Sequence, residues 1–186
     1  MSEQPSDQAW TTGEHGEVEE APPHASRVGP APPAPDLRVA RVLEARAHPN
    51  ADRLLVLSID AGEPMPRQLV AGIAGKYAIE ELSGRHIVIV ANLQPAKLRG
   101  EISQGMLLAA PVEGGEEGAI GLLLAPDAAP GTHVTAPGLP APADQITIDD
   151  FKRHELSVDE RGMTIDGARV ESPRLVPDRG ARGKLR

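Results

Sequence analysis

The sequence predicts a small all-β barrel with one short helix, a disordered tail ahead of it and a β extension behind it. Three observations point there. Short apolar runs recur at regular spacing, separated by Gly, Pro, Asn and Asp. A single short helical stretch interrupts them after the third run. The composition also changes abruptly at residue 36.

Residues 1–35 are rich in Pro, Glu, Ser and Gly, and "APPHASRVGPAPPAP" reads as a Pro/Ala linker. Such a segment buries too little apolar surface to offset its ordering entropy, so it is expected to be disordered. Trp10 lies there and reads as an incidental tail residue rather than an anchor for a partner. Order is expected from Asp36. "DLRVARVLEARA" reads as a Val- and Leu-rich strand with room for a bulge, and "HPNADR" as a turn. "LLVLSIDAG" is a second strand, buried on both faces by its composition. After the turn "EPMP", "RQLVAGIAG" is a third. "AIEELSG" is a helical turn stopped by Gly84. "HIVIVANL" and "GMLLAA" are strands four and five, and "AIGLLLAP" and "THVTA" extend the sheet after the acidic turn "EGGEEG".

Three strands, a short helix and two strands make the order of an OB fold, a five-stranded Greek-key barrel. In that fold the loops joining strands 1–2 and 4–5 bind oligonucleotides or oligosaccharides. Here they are "HPNADR" and "QPAKLRGEIS". The expected division is a tail over 1–35, the barrel over 36–136 and an extension over 137–186.

The net charge of −8 hides a split. Residues 1–35 hold one base and six acids, a net −5. Residues 37–109 hold nine bases and seven acids, a net +2. Residues 169–186 hold six bases and two acids, a net +4. Partners respond to these local balances, not to the total. The chain has no cysteine, which excludes disulfides, thiolate catalysis and cysteine zinc sites. The N-terminus lacks the apolar core of a signal peptide, and no run has the length of a transmembrane helix. These features fit a cytoplasmic protein without a membrane partner.

Catalysis finds no support. The six histidines are scattered, and none pairs with another at metal-ligand spacing. His48 and Asp52 flank one turn, where a turn-stabilising contact is the simpler role. Ser103 sits in "GEISQG", which is not a nucleophile elbow, and no phosphate-cradling Gly loop is present. No catalytic residue, metal or cofactor is expected.

Nucleic-acid binding finds more. Arg53, Arg67, Lys76, Lys97 and Arg99 fall at strand ends or in loops, with Asn92, Ser103 and Gln104 around the 4–5 loop. Cations attract phosphates, and amides read base edges or sugar hydroxyls. Met106 reads as a core strand residue that could also meet a base or sugar. The three aromatics are Trp10, Tyr77 and Phe151. General single-strand binders stack bases on aromatic rings, so a folded RNA held by shape suits this inventory better.

The strings "DLRVARVLEARAHPNADRLLVLSIDAG", "RQLVAGIAGKY", "EELSGRHIVIVANLQPAKLRGEISQGMLLAA" and "PGTHV" together resemble one family. It is the tRNA-binding OB-fold domain found at the C-terminus of many bacterial methionyl-tRNA synthetases, as free-standing tRNA-binding proteins and as eukaryotic synthetase-associated cofactors. The resemblance spans about residues 36–136, and every fixed position of N-L-x-P-x-K-L-R-G-x-x-S-x-G-M is filled. It implies tRNA binding by structure rather than sequence, without acylation, in a homodimer that can serve an aminoacyl-tRNA synthetase. The family's binding loop maps onto Asn92, Lys97, Arg99, Ser103 and Met106.

One departure stands out. Members of this branch open with a leader like I-x-I-D-D-F-x-K-V-E-L-R-V-A, whereas here "ITIDDFKRHELSV" comes after the barrel. A circular permutation would dock Ile146, Ile148 and Phe151, the expected dimerisation residues, where the leader usually sits. A decayed second copy of the domain start is the competing explanation. Beyond it, "HELSVDERGMTIDGARV" reads as a β-hairpin and "RLVPDRGARGKLR" as a flexible basic arm.

Two functional readings result. The first is a non-catalytic tRNA-binding protein acting alone or beside a synthetase. The second is a dimeric, secretion-chaperone-like peptide binder, since one branch of the family is described that way. An active synthetase is excluded by length and by the missing H-I-G-H and K-M-S-K-S strings, though the chain could be a detached piece of one.

Overall fold

A computed structural model of the chain describes residues 30–186. The readings of Trp10 and of the tail up to residue 29 lie outside the described residues. The barrel strands are β1 (Leu37–Ala47), β2 (Leu55–Asp60), β3 (Arg67–Ala71) and β4 (His86–Val90), with α1 (Ile79–Leu82) between the last two. Then come β5 (Ala96–Leu98), β6 (Glu101–Ser103), β7 (Met106–Leu107), β8 (Ala109–Pro111) and β9 (Ile120–Leu124). The extension holds α2 (Ile148–Lys152), β10 (Leu156–Asp159), β11 (Gly162–Ile165), β12 (Ala168–Arg169), β13 (Val176–Pro177) and β14 (Gly183–Lys184). The chain is mostly β with short helices, a curled sheet in the expected OB arrangement.

The main sheet runs β13-β9-β4-β1-β2-β3, with β7 paired to β4 and β8 to β9. β1 serves two neighbours because it bends. Its first half pairs with β4, its second half with β2, and the register shifts between Val42 and Glu44 so that Leu43 bulges. The expected fifth strand is broken into β7 and β8 at Leu108, whose N–H donates to the Val88 carbonyl. The "THVTA" segment borders the start of β1, where Thr132 accepts from Val39 N–H and Val134 donates to Leu37.

β4 is buried on both faces, which is why it reads as an unbroken apolar run, and the first half of β1 contributes apolar residues to both sides of the sheet. Ala40, Val42, Ile87 and Ile89 face the barrel interior with Leu57, Ile59, Leu69, Leu82 and Leu122. Val39, Val88 and Val90 face the other way, onto Ile146, Phe151, Leu156, Val158, Met163, Ile165 and Leu185 of the extension. The extension thus roofs the outer face of the barrel's central strands. Phe151 is only 5% exposed, and burying a Phe side chain contributes about 1.5–3 kcal/mol.

The "ITIDDF" string therefore packs on its own barrel. Ile146 forms a parallel bridge with Leu93, and α2 starts on a capping box in which Thr147 accepts from Asp150 N–H. The expected hairpin is present, with Leu156 opposite Ile165 and Asp159 opposite Gly162.

The basic arm is not flexible, which corrects that expectation. β13 pairs with β9, β14 pairs with β10, Leu175, Ala181 and Leu185 are buried, and Arg186 exchanges backbone hydrogen bonds with Ala109. Leu175, Val176, Ala181 and Leu185, spaced among Pro, Gly and Arg, form no readable period, yet Leu175, Ala181 and Leu185 find the same core. Gly121 permits this closure, because a Cβ there would lie 2.0 Å from the Asp178 carbonyl oxygen. Tyr77 bolts it. Its hydroxyl donates to Asp178 at 2.8 Å and accepts from Leu122 N–H at 3.1 Å, while the Arg179 guanidinium lies 3.9 Å over its ring. Burial, then the bond to Asp178, pushes the phenol up to about 12.

Order also begins earlier than residue 36. The Pro33 carbonyl is bonded by buried His154 at 3.0 Å, and the Ala34 carbonyl accepts from Ala143 N–H and Asn92.

Candidate nucleic-acid interface

The 4–5 loop folds into a hairpin of its own. β5 and β6 pair Ala96 with Ser103, Lys97 with Ile102 and Leu98 with Glu101. Arg99 and Gly100 make the two-residue turn, both with positive φ, 51° and 109°. A turn of that kind matches the twist of the strands but demands the left-handed region twice. Glycine supplies it freely, whereas Arg99 holds it against a cost of about 1–2 kcal/mol. Opposed residues share a face, so Lys97 stands beside Ile102 on the outer side of the hairpin. Ile102 is 52% exposed and Leu98 37%.

Several polar residues hold this hairpin against the barrel. Ser103 is buried, and its hydroxyl accepts from Val70 N–H and donates to the Gly105 carbonyl, both at 2.9 Å. Gln104 N–H donates to the Gln68 carbonyl, and Gln68 N–H returns a bond to Gln104 Oε1 at 3.1 Å. Gln68 Nε2 donates to the Ile102 carbonyl and to Glu101. This ladder of side chains closes the barrel between β3 and β6. Arg46 bonds Glu101 at 2.9 Å and holds that carboxyl below its usual range.

A second set ties the 1–2 loop to the hairpin. The Asn50 N–H donates to His48 Nδ1 at 3.0 Å, which places the proton on Nε2. Nε2 then donates to the Leu98 carbonyl at 3.0 Å, and Asn50 Nδ2 donates to the Arg99 carbonyl at 3.4 Å. His48 is buried. It does stabilise its turn, but with Asn50 rather than Asp52, and it also clasps the opposite loop.

The sequence-named residues therefore separate into three groups. Arg53, Lys97 and Arg99 are exposed on the two clasped loops, and among the described residues no carboxylate pairs with them. Asn92, Ser103 and Arg67 belong to the frame. Asn92 Oδ1 accepts from Asp36 N–H, and its Nδ2 donates to the Ala34 and Ala143 carbonyls at 3.1 and 2.8 Å. Arg67 is locked by Glu63 and by the Ala91 and Gln104 carbonyls, and that bond holds the Glu63 carboxyl below its usual range. Gln104 is exposed, with its Oε1 engaged.

The remaining residues lie elsewhere. Lys76 lines a separate cleft with Glu116, Glu117 and Arg179. Met106 is half-buried opposite Val90 and lines an apolar cleft of about 530 Å³ with Val70, Ile73 and Leu107. Ile146 and Phe151 are buried within the chain, while Ile148 is exposed. Sequence reasoning passed over Ile102, Leu98, Asn50 and Gln68. The alternation in "AKLRGEIS" was the available signal for the first two; the contacts of the others join distant loops and left none.

Chemically, this is a small cationic surface with apolar neighbours, hydrogen-bonded to β3 and to the 1–2 loop. It suits a polyanion whose sugars and bases lie close to its phosphates. No group of three or more acidic or histidine side chains among the described residues could hold a metal ion. No helix of the described residues is long and apolar enough to cross a membrane.

Comparison with known proteins follows the same lines. A family model described as "Putative tRNA binding domain" matches residues 37–133. Methionine–tRNA ligase of Thermococcus kodakarensis is 55% identical over 92 residues, 50% of this chain and 12% of the ligase. The cytoplasmic tyrosine–tRNA ligase of Xenopus tropicalis is 49% identical over 79 residues, 42% of this chain and 15% of the ligase. The match thus spans a small fraction of these relatives' length. The crystal structure of the C-terminal domain of Plasmodium vivax p43 superimposes with a TM-score of 0.60 at 25% identity. It covers 81% of this chain and 92% of that one, so the likeness runs past the barrel into the extension.

Proposed function

The chain belongs to this tRNA-binding-domain family, and from that premise we propose that it is a non-catalytic, cytoplasmic protein that binds folded tRNA. The observation that carries the reading is the set of unpaired cations, Arg53, Lys97 and Arg99, on two loops clasped by His48 and Asn50. Lys97 and Arg99 take phosphates, with Gln104 as a neutral donor beside them. Asn92, Ser103 and Arg67 act by holding the loop. Met106 supports the strand behind it, and Lys76 adds a long-range field. Kinship with segments of methionine and tyrosine ligases makes an aminoacyl-tRNA synthetase, the methionyl enzyme first, the natural partner.

We also propose that the 146–158 string is the family's leader in permuted position. Homodimerisation would use exposed Ile148, with Ile146 and Phe151 contributing through exchange of the segment between copies. Sedimentation of the Ile148→Asp variant against wild type tests this. A monomeric wild type refutes it.

The test of the main reading is binding of an unmodified tRNA transcript against an unstructured RNA of equal length. Structure-selective binding requires the tRNA to bind more tightly at every salt concentration, with log affinity falling by about 0.7–0.9 per phosphate contact on a log salt scale. Equal affinity for the two RNAs contradicts it. The apolar cleft beside Met106 favours the peptide-binding alternative. Suppression of client aggregation without any tRNA affinity would select that alternative.

A further inference from the structure

Beside the hairpin lies a second cleft, of about 400 Å³, between the turn before β3, the end of β4 and residues 144–145. Its chemistry differs from that of the hairpin. Met65, Arg67, Pro95, Gln104, Asp144 and Gln145 line it, and it offers a phosphate no free cation. Arg67 is the only base among the lining residues, and its Nε, Nη1 and Nη2 all donate, to Glu63, Ala91 and Gln104. Four of its five N–H groups are thus engaged, and what remains to a ligand is one Nη2 N–H and the face of the guanidinium, on a side chain 23% exposed. Asp144 is exposed and has no cation partner among the described residues. Met65 is 74% exposed, a large apolar side chain standing in water at the rim.

A carboxylate beside a surface meant for RNA is unfavourable if all it meets is phosphate. It becomes favourable if it accepts from a base. A fixed guanidinium plane is a stacking platform for unpaired bases, and it replaces the aromatic rings that the described residues keep buried, Tyr77 and Phe151. Amide groups such as Gln104 and Gln145 serve base edges equally well. Among RNA bases, guanine alone offers two adjacent N–H donors, at N1 and N2, to the two oxygens of one carboxylate.

We propose that this cleft is a subsite for an unpaired nucleobase of the bound RNA, guanine by preference, stacked on the face of Arg67 and read by Asp144. The proposal rests on the tRNA-binding reading and deepens it. The hairpin cations position the backbone, and the cleft selects a splayed base next to it. Met65 covers the edge of the base that points to solvent.

The experiment is tRNA binding by Asp144→Asn and by Met65→Ser across a salt series, with wild type alongside. Both positions are exposed, so both variants keep the fold. Asp144→Asn removes one negative charge, and simple electrostatics then predicts tighter binding. A base-reading carboxylate predicts the opposite, affinity roughly five- to hundredfold weaker with the salt slope unchanged. Met65→Ser weakens binding less, again with no change in slope. Unchanged or tighter binding by Asp144→Asn overturns the subsite while leaving the tRNA reading in place. A wild-type chain that binds no tRNA overturns both. A second measurement reads base identity: guanosine monophosphate at millimolar concentration shifts the side-chain amide resonances of Gln104 and Gln145, and uridine monophosphate does not. Equal shifts with both nucleotides overturn the preference for guanine.

Discussion

The β5–β6 hairpin and the segment from Arg174 to Arg182 both gather cations, and they use them in opposite ways. In the hairpin Lys97 and Arg99 stand in water beside Ile102, and no described carboxylate meets them. In the C-terminal segment each arginine has an acid. Arg174 faces Asp127 at 3.8 Å, Arg179 meets Glu81 at 3.1 Å, and Arg182 is shared between Glu113 and Glu160. By sequence the C-terminal stretch is the more basic of the two. By structure its charge is spent on fastening the extension to the barrel. Counting cations along a chain therefore locates neither the binding surface nor its absence; the partner of each cation decides.

The contrast can be broken at its hinge. Gly121→Val sets a side chain against the Asp178 carbonyl, where even a Cβ would lie 2.0 Å away. The expected loss is about 3 kcal/mol in thermal or denaturant unfolding, with the 174–182 arginines released from their acids. A variant as stable as wild type would show that the segment does not need this close approach.

A smaller effect is expected at the clasp. His48→Ala leaves the Leu98 carbonyl without its donor and frees the hairpin from the 1–2 loop. Stability should fall by about 1–3 kcal/mol and tRNA affinity by roughly tenfold, although no positively charged side chain has been removed. Full affinity in His48→Ala would mean that the cations need no rigid support.

The Tyr77 bolt gives a pH signature. Its phenol titrates near 10 when unfolded and is pushed up to about 12 in the fold. Its contribution is thus fully present below pH 10 and is lost as pH rises from 10 toward 12. Tyr77→Phe should flatten the wild type's fall in stability across that window. A fall that persists in the variant would assign it to other groups. The smallest effect is expected for Arg182→Ala. Its ion pairs are exposed, so the change in stability should stay within about 1 kcal/mol and tRNA affinity should not move.

Much of the fold was legible because its strands are short, apolar and punctuated. "LLVLSIDAG", "HIVIVANL" and the Gly84 stop each state their element locally. The extension's hairpin was legible for the same reason. The arm after Arg174 was not, because Leu175, Ala181 and Leu185 are too sparse to show a period, and what orders them is contact with residues far away in sequence. At the site, the sequence placed Lys97 and Arg99 on the 4–5 loop, which the structure folds as the β5–β6 hairpin. It did not separate Lys97 and Arg99, which face water, from Arg67, Asn92 and Ser103, whose polar atoms turn inward. That distinction depends on partners such as Glu63, Asp36 and Val70, drawn from other strands. The capping box of α2, "TIDD", was a local signal that could have marked a helix start inside the 146–158 string.

The central claim is that unpaired cations bind and paired cations fasten. It is tested most directly by comparing two double charge reversals, Lys97→Glu with Arg99→Glu and Arg179→Glu with Arg182→Glu, in tRNA binding across a salt series. Both change the net charge equally. The hairpin reversal should weaken binding on the order of a hundredfold at low salt and lower the slope by about two contacts, with unfolding unaffected. The C-terminal reversal should lower stability and leave the slope as it is. Equal losses of affinity in the two variants would contradict the claim, because binding would then follow total charge and not the hairpin.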